Sequence, residues 1–551
     1  MGILSLLDIG KSALLANQVA LQVAGQNISN VSTPGYSKQE VALEAAEPMD
    51  SRPGQIGMGV KATEIKRQYD NFIENDIILQ QQTLGDLGAS ADAASQVEQV
   101  FNDSGGAGVG SAINDFFSAV QDLSNNPSGS AERTALAAKA NTLTQFVKQS
   151  YGDLGSIRAS ADQDIADEVG NVNDVAGQIA QLNQQISVEE AENQNPNDLL
   201  DKRDQLMEKL AGSVDFSYFE NPSGQVNIIL GGGSPLVEGG NSFSLKAEKG
   251  TSDGMTVVEY DNGSGGLQDI TSSIKSGKLA GLLDTRDRLI PKFQDGLDNL
   301  SASITNEMNK LNRSGFGLDG STGVDFFTPL SANAWPGSNS GTGSAGTATV
   351  SNYNNLSLDQ FQVTFTSPST YDLTDSTTGS AVSTGNAYTP GGAITAGGMT
   401  FSITGAPDAG DVFNISAAKG AASNFSVSQA VSSDPSKIAA ATDPAMLPGD
   451  NRNAMAMAAL QDAPELSGKY TFSDYYASLV SDSGVESQKA STQNDFQNNL
   501  LQNLQNQKAQ VSGVSLDEET TNLLKYQRAY EAAAKVISIA DTLMDDLINK
   551  T

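Results

Sequence analysis

Leu516, Leu523, Tyr530, Ile537 and Met544 stand seven residues apart near one end of the chain, with Tyr526, Ala533, Ala540 and Leu547 three positions further on. A heptad sustained over this length is the pattern of a coiled-coil seam. Glu519 breaks it, placing a carboxylate at a seam position close to the start of the helix. The opposite end of the chain carries a second amphipathic stripe through Leu7, Leu14, Leu21 and Ile28. Single amphipathic helices are marginal in water and need their apolar face covered. Neither stripe has a helical partner in its own neighbourhood, whereas chain termini tend to lie close together. The two ends are therefore expected to pair, in a domain discontinuous in sequence. The bland alternative is two helices, each packed on its local surroundings.

The first helix runs into "NISNVSTPGYSKQ", Asn27 to Gln39. Pro34 and Gly35 suit the two central positions of a type II turn, where glycine takes the positive φ at least cost. Thr33, preceding proline, is pushed toward extended geometry, so the helix must have ended. Asn30 and Thr33 close the helix, Pro34 and Gly35 set an angle, and Tyr36 leads into an extended arm. Nothing in the stretch is reactive. It reads as a joint.

Beyond the joint, residues 36–69 read as extended, with Val60, Ala62 and, less regularly, Ile65 alternating, and "RPGQIG" as a turn. A long helix is expected from Asp70 to about Phe101. Helices follow through "AINDFFSAVQDL", "SAERTALAAKANTLTQFVKQ" and Ile165 to Ile186, forming an elongated rod. Residues 214–270 switch to strands, with Asn262-Gly263 as a hairpin signal. From about 331 the composition turns to Ser, Thr, Gly and Asn, and Phe361, Val363 and Phe365 alternate, as do Phe401 and Ile403. This marks a small inserted β domain with solvent-facing tips. The fold class is α+β and multidomain. The expected units are 1–69 with 480–551, 70–330 with 420–479, and 331–419; at 551 residues one compact core is excluded.

Acidic residues outnumber basic ones by 65 to 32, and the net charge of −33 argues against nucleic acid or an anionic membrane as partner. No uncharged apolar run is long enough to span a membrane. The N-terminus lacks the basic leader and cleavage pattern of a secretory signal, so any export would use another route. The chain has neither Cys nor His, which removes thiol chemistry, disulfides and the commonest metal ligand and general base. No cofactor is expected.

Each motif with a chemical reading has a stronger structural one. "DIGKS" (Asp8 to Ser12) looks like the tail of a phosphate-binding loop, but Ser5 stands where its first Gly belongs and no strand precedes it. "NPNDLLDKRDQL" (Asn195 to Leu206) could hold a metal or an acid–base pair. It reads better as a helix capped by Asn197 or Asp198, with solvated ion pairs and an apolar face of Leu199, Leu206 and Leu210. Ser130 is the expected cap of another helix. "LDGSTGVDFF" (from Leu318) lacks the acidic ladder of a calcium loop and reads as a turn. An enzyme or adhesin on the inserted domain remains a remote alternative, since Asp372, Asp375, Asp408 and Asp411 are scattered beside turn residues.

Several fragments together carry a resemblance. "NISNVSTPGYSKQ", "RQYDNFI" (Arg67 to Ile73), "NDLLDKRDQL", "GKLAGLLDTRD" (Gly277 to Asp287) and the C-terminal stretch from Gly513 to Ile548 are similar to axial proteins of the bacterial flagellum. Among rod, hook and hook-associated proteins, they look most like the hook-associated members of the hook–filament junction. The resemblance implies a structural, non-catalytic subunit with flagellin-like discontinuous domains, whose terminal helices are disordered until assembly. It also implies export without a cleaved signal, and partners that include an export chaperone, further copies of the chain arranged head to tail, hook protein, and the second junction protein or flagellin. A flagellin-like filament subunit, or the second junction protein, is the nearest alternative.

Overall fold

The computed structural model describes residues 3–51, 54–103, 106, 108–250, 254–263, 265–337, 339–466 and 468–550. Helix α1 (Ile3–Ser29) passes through the Pro-Gly turn into β1 (Gln39–Ala45), a short hairpin of β2 (Met49–Ser51) and β3 (Gly54–Ile56), and β4 (Val60–Arg67). The turn expected at Arg52-Pro53 lies outside the described residues. β4 returns antiparallel to β1, with Ala42 opposite Glu64 and Leu43 opposite Ala62, so Thr63 is an extra residue on β4. That bulge is why Ile65, and not residue 64, continues the face of Val60 and Ala62.

Asp70 caps α2 (Asn71–Val100) by accepting a 2.9 Å hydrogen bond from the Phe72 N–H. After α3 (Val109–Asn125), the segments expected as separate helices merge into α4 (Ser130–Ala191), 62 residues and about 93 Å long. Ser130 is the first residue of α4 and not its cap; Gly129 precedes it, with no side-chain cap. α5 (Asn197–Ser213) follows a cap at Pro196, and Asn197 is spent elsewhere, its Nδ2 donating to Ile65 O at 2.9 Å.

Residues 216–269 form two sheets where one hairpin region was expected. β5 (Phe216–Glu220), β6 (Val226–Leu230), β7 (Pro235–Glu238) and β8 (Asn241–Ser242) pair in chain order. β9 (Ser244–Lys249), β10 (Thr256–Asp261) and β11 (Leu267–Asp269) make the second. Asp261 pairs with Leu267, so a loop longer than two residues closes the Asn262-Gly263 hairpin. α6 (Gly277–Asp284) continues through a π-helical stretch, Thr285–Leu289, into α7 (Ile290–Ser314).

Eight strands follow: β12 (Asn333–Pro336), β13 (Ser344–Val350), β14 (Phe361–Ser367), β15 (Thr370–Asp375), β16 (Ser380–Ala387), β17 (Ala393–Ala396), β18 (Met399–Thr404) and β19 (Val412–Ser416). They form a five-stranded sheet, β12-β19-β14-β15-β16, and a three-stranded sheet, β13-β18-β17. Phe361, Val363, Phe365, Phe401, Ile403, Phe413 and Ile415 fill the space between them. The Asp298 carboxylate on α7 holds the returning chain, accepting from the N–H groups of Gly420 (2.8 Å) and Ala422 (2.9 Å). Short helices α8 (Ala421–Asn424), α9 (Gln429–Ser433) and α10 (Arg452–Ala459) lead to α11 (Phe472–Ser512) and α12 (Leu516–Lys550).

Two large cores share α4. One gathers Phe101, Phe116, Phe117, Leu143, Phe293, Phe326, Phe327 and Phe472 from the end of α2, α3, the first half of α4, α7, the segment that follows it and the start of α11. The other packs Ile165, Val172, Ile179, Leu210, Ile228 and Leu279 between the second half of α4, α5, the two sheets and α6. α11 runs beside α2, so a boundary at residue 480 falls inside a continuous helix.

Candidate assembly site at the chain termini

α1 and α12 pack on each other in antiparallel fashion, Gly10 lying against Ile537 and Asn27 against Glu519. Their closest faces are made of small side chains. Ala16, Ala20, Val23 and Ala24 are buried on α1, and Ala533 and Ala540 on α12, Ala540 completely. A Cβ added at Gly10 would come within 2.7 Å of Ile537 Cγ1. The larger residues of the sequence pattern flank this strip: Leu7, Leu14, Leu21 and Ile28 are half-buried, as are Leu523, Ile537 and Met544. Leu516 (50 % exposed) and Tyr530 (37 %) are open to solvent. The heptad thus locates the seam, while alanine and glycine let the helices approach closely.

The joint is held by a residue the sequence pattern does not flag. The Asn27 amide, 1 % exposed, uses all of its hydrogen-bonding capacity. Its Nδ2 donates to Gln39 O (2.9 Å) and Glu519 Oε2 (3.0 Å), and its Oδ1 accepts from Gln39 N (3.0 Å) and the Tyr36 hydroxyl (2.9 Å). Glu519, the break in the heptad, is 2 % exposed and also pairs with Lys38 at 3.5 Å. Lys38 bonds Glu518 at 2.9 Å, and its backbone N–H reaches Ser512 O at the end of α11. Burial works against the Lys38 charge, but Glu518 and Glu519 outweigh it and raise its pKa. Burial pushes the Tyr36 hydroxyl well above its ordinary value, helped by Asp198, Asp201 and Glu519, so it stays a donor. The signal for this node was present: a lone carboxylate in an apolar seam needs a partner.

The turn residues are placed as a turn requires. Tyr36 N bonds Thr33 O at 3.3 Å, Gly35 has φ +73°, and Asn30 N closes the helix on Gln26 O. Asn30 and Thr33 also bond each other through their side chains (3.1 Å). The outer side of the turn lies on α5: Gln205 Nε2 donates to Pro34 O at 2.9 Å, and a Cβ on Gly35 would collide with that amide. Ser37 N donates to Asp201 Oδ2 at 2.9 Å, and Gln39 Nε2 to Asp198 Oδ1 at 3.0 Å.

"NDLLDKRDQL" does not carry solvated pairs. Asp201, Arg203 and Asp204 are buried, and Arg67 from the end of β4 bridges Asp201 (3.0 Å) and Asp204 (2.6 Å). Arg67 also lies 4.0 Å from the centre of the Tyr69 ring. Burial raises the Asp204 pKa, with Arg67 and Arg203 opposing. Lys508 on α11 ties Glu74 of α2 (2.7 Å) to Glu208 of α5 (2.8 Å). Leu199 and Leu206 are half-buried, and Leu210 is fully buried.

The other chemical candidates are all occupied by local structure. Asp8 to Ser12 lies within α1. Asp319 accepts from Ser321 in a turn (2.9 Å). Asp372 and Asp375 accept from backbone N–H groups of Gly385 (2.7 Å) and Thr377 (2.9 Å). Asp411 binds the N–H groups of Ser340 (2.7 Å) and Asp408 (2.8 Å). Among the described residues no cluster of acidic side chains is arranged to hold a metal, and no helix is long and apolar enough to cross a membrane.

A long chain whose two ends meet in a helix pair, hinged by a buttressed turn onto a helical rod, is the architecture of an axial structural subunit. Three family models match it: flagella basal body rod protein over residues 7–36, the flagellar hook-associated protein FlgK helical domain over 94–327, and the C-terminal region of flagellar basal body rod FlgEFG proteins over 505–550. Flagellar hook-associated protein 1 of Escherichia coli (strain K12) is 30 % identical over 551 residues, covering 99 % of each chain. Its counterpart in Bacillus subtilis (strain 168) is 26 % identical over 575 residues, covering 98 % of this chain and 97 % of the other. The solved structure of the flagellar hook junction protein FlgK from Burkholderia pseudomallei shares the fold, with a TM-score of 0.70 at 21 % identity over 80 % of this chain and all of that one. The chain belongs to the flagellar hook-associated protein 1 (FlgK) family. It is a structural protein of the flagellum.

Proposed function

We propose that the chain is the adaptor between hook and filament, assembling head to tail through its terminal helix pair. The observation that carries this reading is where apolar surface is left uncovered. Among the described residues, eighteen of the twenty-six exposed large apolar side chains lie in residues 4–79 and 485–548, among them Leu4, Phe72, Phe496, Leu524, Leu543 and Ile548. A chain carrying −33 repels its own copies, so association has to rest on apolar contacts of this kind. The pair α1–α12 forms the inner unit, residues 331–419 a solvent-facing β unit, and the helical rod spaces them. Its neighbours are further copies, hook protein, and the second junction protein or flagellin. An export chaperone accompanies it before secretion through a route that cleaves no signal.

Replacing Leu523 and Ile537 together with Asp tests the reading. The rod should keep its helical circular dichroism and cooperative unfolding, while filaments are lost and the protein no longer forms a labelled band at the junction in electron micrographs. Normal filaments in this variant would overturn the assignment.

A further inference from the structure

The apolar repeat of α12 does not by itself say where α12 should stop along α1. A slip of one heptad, about 10 Å along the axis, exchanges Leu523 for Tyr530, Tyr526 for Ala533 and Ile537 for Met544, apolar for apolar throughout. Besides the small Ala533 and Ala540 at the closest approach, two contacts distinguish the observed register from its neighbours. One is the Asn27–Glu519–Lys38 clasp, buried at 1 % and 2 % exposure for its first two members. The other is Gly10, whose missing side chain leaves room for Ile537.

We propose that the buried Asn27–Glu519–Lys38 clasp, with Gly10 against Ile537 at the far end, sets the register of α12 on α1. A slip in one direction carries the Glu519 carboxylate into layers lined by Ala16, Ala20 and Val23. A slip in the other brings Tyr526 opposite Asn27 and takes away the acceptor of its second N–H. A buried polar group that loses its partner weighs against such a state by roughly tenfold or more. Polar residues in apolar seams serve this purpose elsewhere, specifying alignment at some cost in stability. The alignment matters because Asn27 is bonded to Tyr36 and Gln39, and Ser37 and Gln39 are bonded to α5. The clasp thereby fixes α12, and the apolar surface it presents, relative to the rod. The inference rests on reading α1–α12 as the assembly element.

The chain has no cysteine, so introduced thiols report without background. Lys11 on α1 and Thr521 on α12 are exposed, on helix faces turned away from the seam. Both are replaced by cysteine in the full-length chain and spin-labelled, and the distance between the labels is read by pulsed electron resonance. In the observed register the two sites are offset by roughly 20 Å along the axis, so a slip of one heptad in either direction shifts the distance by several ångströms. Expected is one dominant distance in the otherwise unchanged chain, with slipped populations at about a tenth of it or less. In the Glu519→Leu background the slipped populations should rise above that level with helix content retained. Glu519→Gln, which keeps an oxygen for Asn27, should leave the distribution unchanged. Comparable populations at more than one distance in the parent, an unchanged distribution in Glu519→Leu, or a changed distribution in Glu519→Gln would overturn the proposal. Junction localisation is scored separately, so failure of the adaptor reading leaves the distance result distinct.

Discussion

The rod and the terminal helix pair are both helical, yet they are built on opposite principles. In the rod, Phe116 is fully buried, with Phe117 and Phe326 edge-on at 5.1 and 5.9 Å and Phe327 at 5.8 Å. The terminal pair buries mainly alanines and leaves its larger side chains half-covered or exposed. A large aromatic core is self-sufficient, because each ring removes much apolar area from water. A strip of alanines is not, since it gives close approach and little burial. The rod core thus carries its own stability, whereas the pair buries little apolar surface of its own.

Substitutions can break this contrast, and the largest effect should come from the rod core. Phe116→Ala should cost about 3–5 kcal/mol in thermal or denaturant unfolding. A similar loss from an alanine placed in the terminal pair would erase the distinction. Next comes the connection between the two regions. Arg67→Ala leaves Asp201 and Asp204 buried without their main cation, and should cost about 3 kcal/mol. Arg203, 3.9 Å from Asp204, limits the damage.

The attachment of the β unit to the rod supplies a pH-dependent comparison. Burial pushes the Asp298 carboxyl up to about 6, against the two N–H groups it accepts from and Lys419. Because the folded chain binds this proton more tightly than the unfolded chain, the contribution favours folding near pH 4 and is lost as pH rises to about 6. Asp298→Asn should remove about 2–3 kcal/mol of that dependence, seen as a smaller difference in unfolding midpoint between pH 4 and pH 7 than in the unsubstituted chain. An identical pH profile would show that the carboxyl is not carrying it. The smallest effect belongs to the terminal pair: Leu523→Ala, removing a half-buried side chain, should shift unfolding of the soluble chain by less than about 1 kcal/mol.

Much of this architecture is legible locally. The heptad of α12, the stripe of α1, the Asp70 cap and the Pro-Gly turn rest on neighbours within a few residues, and so does the alternation of β14 and β18. Other expectations failed for equally physical reasons. Asn197 looks like a cap but bonds β4, and the charges of α5 look solvated but meet Arg67, 134 residues away in sequence from Asp201. Nothing near α5 announces either partner. Thr63 shows the same limit, because a bulge exists only relative to the strand it pairs with.

The sequence by itself determined that the ends are amphipathic helices, that the first is followed by a turn of set geometry, and that thiol and histidine chemistry are excluded. Those properties depend on side-chain type and spacing alone. Only the tertiary structure decided that Glu519 is a partner of Asn27, that alanines and Gly10 make the closest contact, and that Gln205, Asp198 and Asp201 hold the joint against the rod. Each of these is a meeting of residues far apart in the chain. Burial of a charge or an amide is stable only with its partner in place, and folding alone supplies that partner.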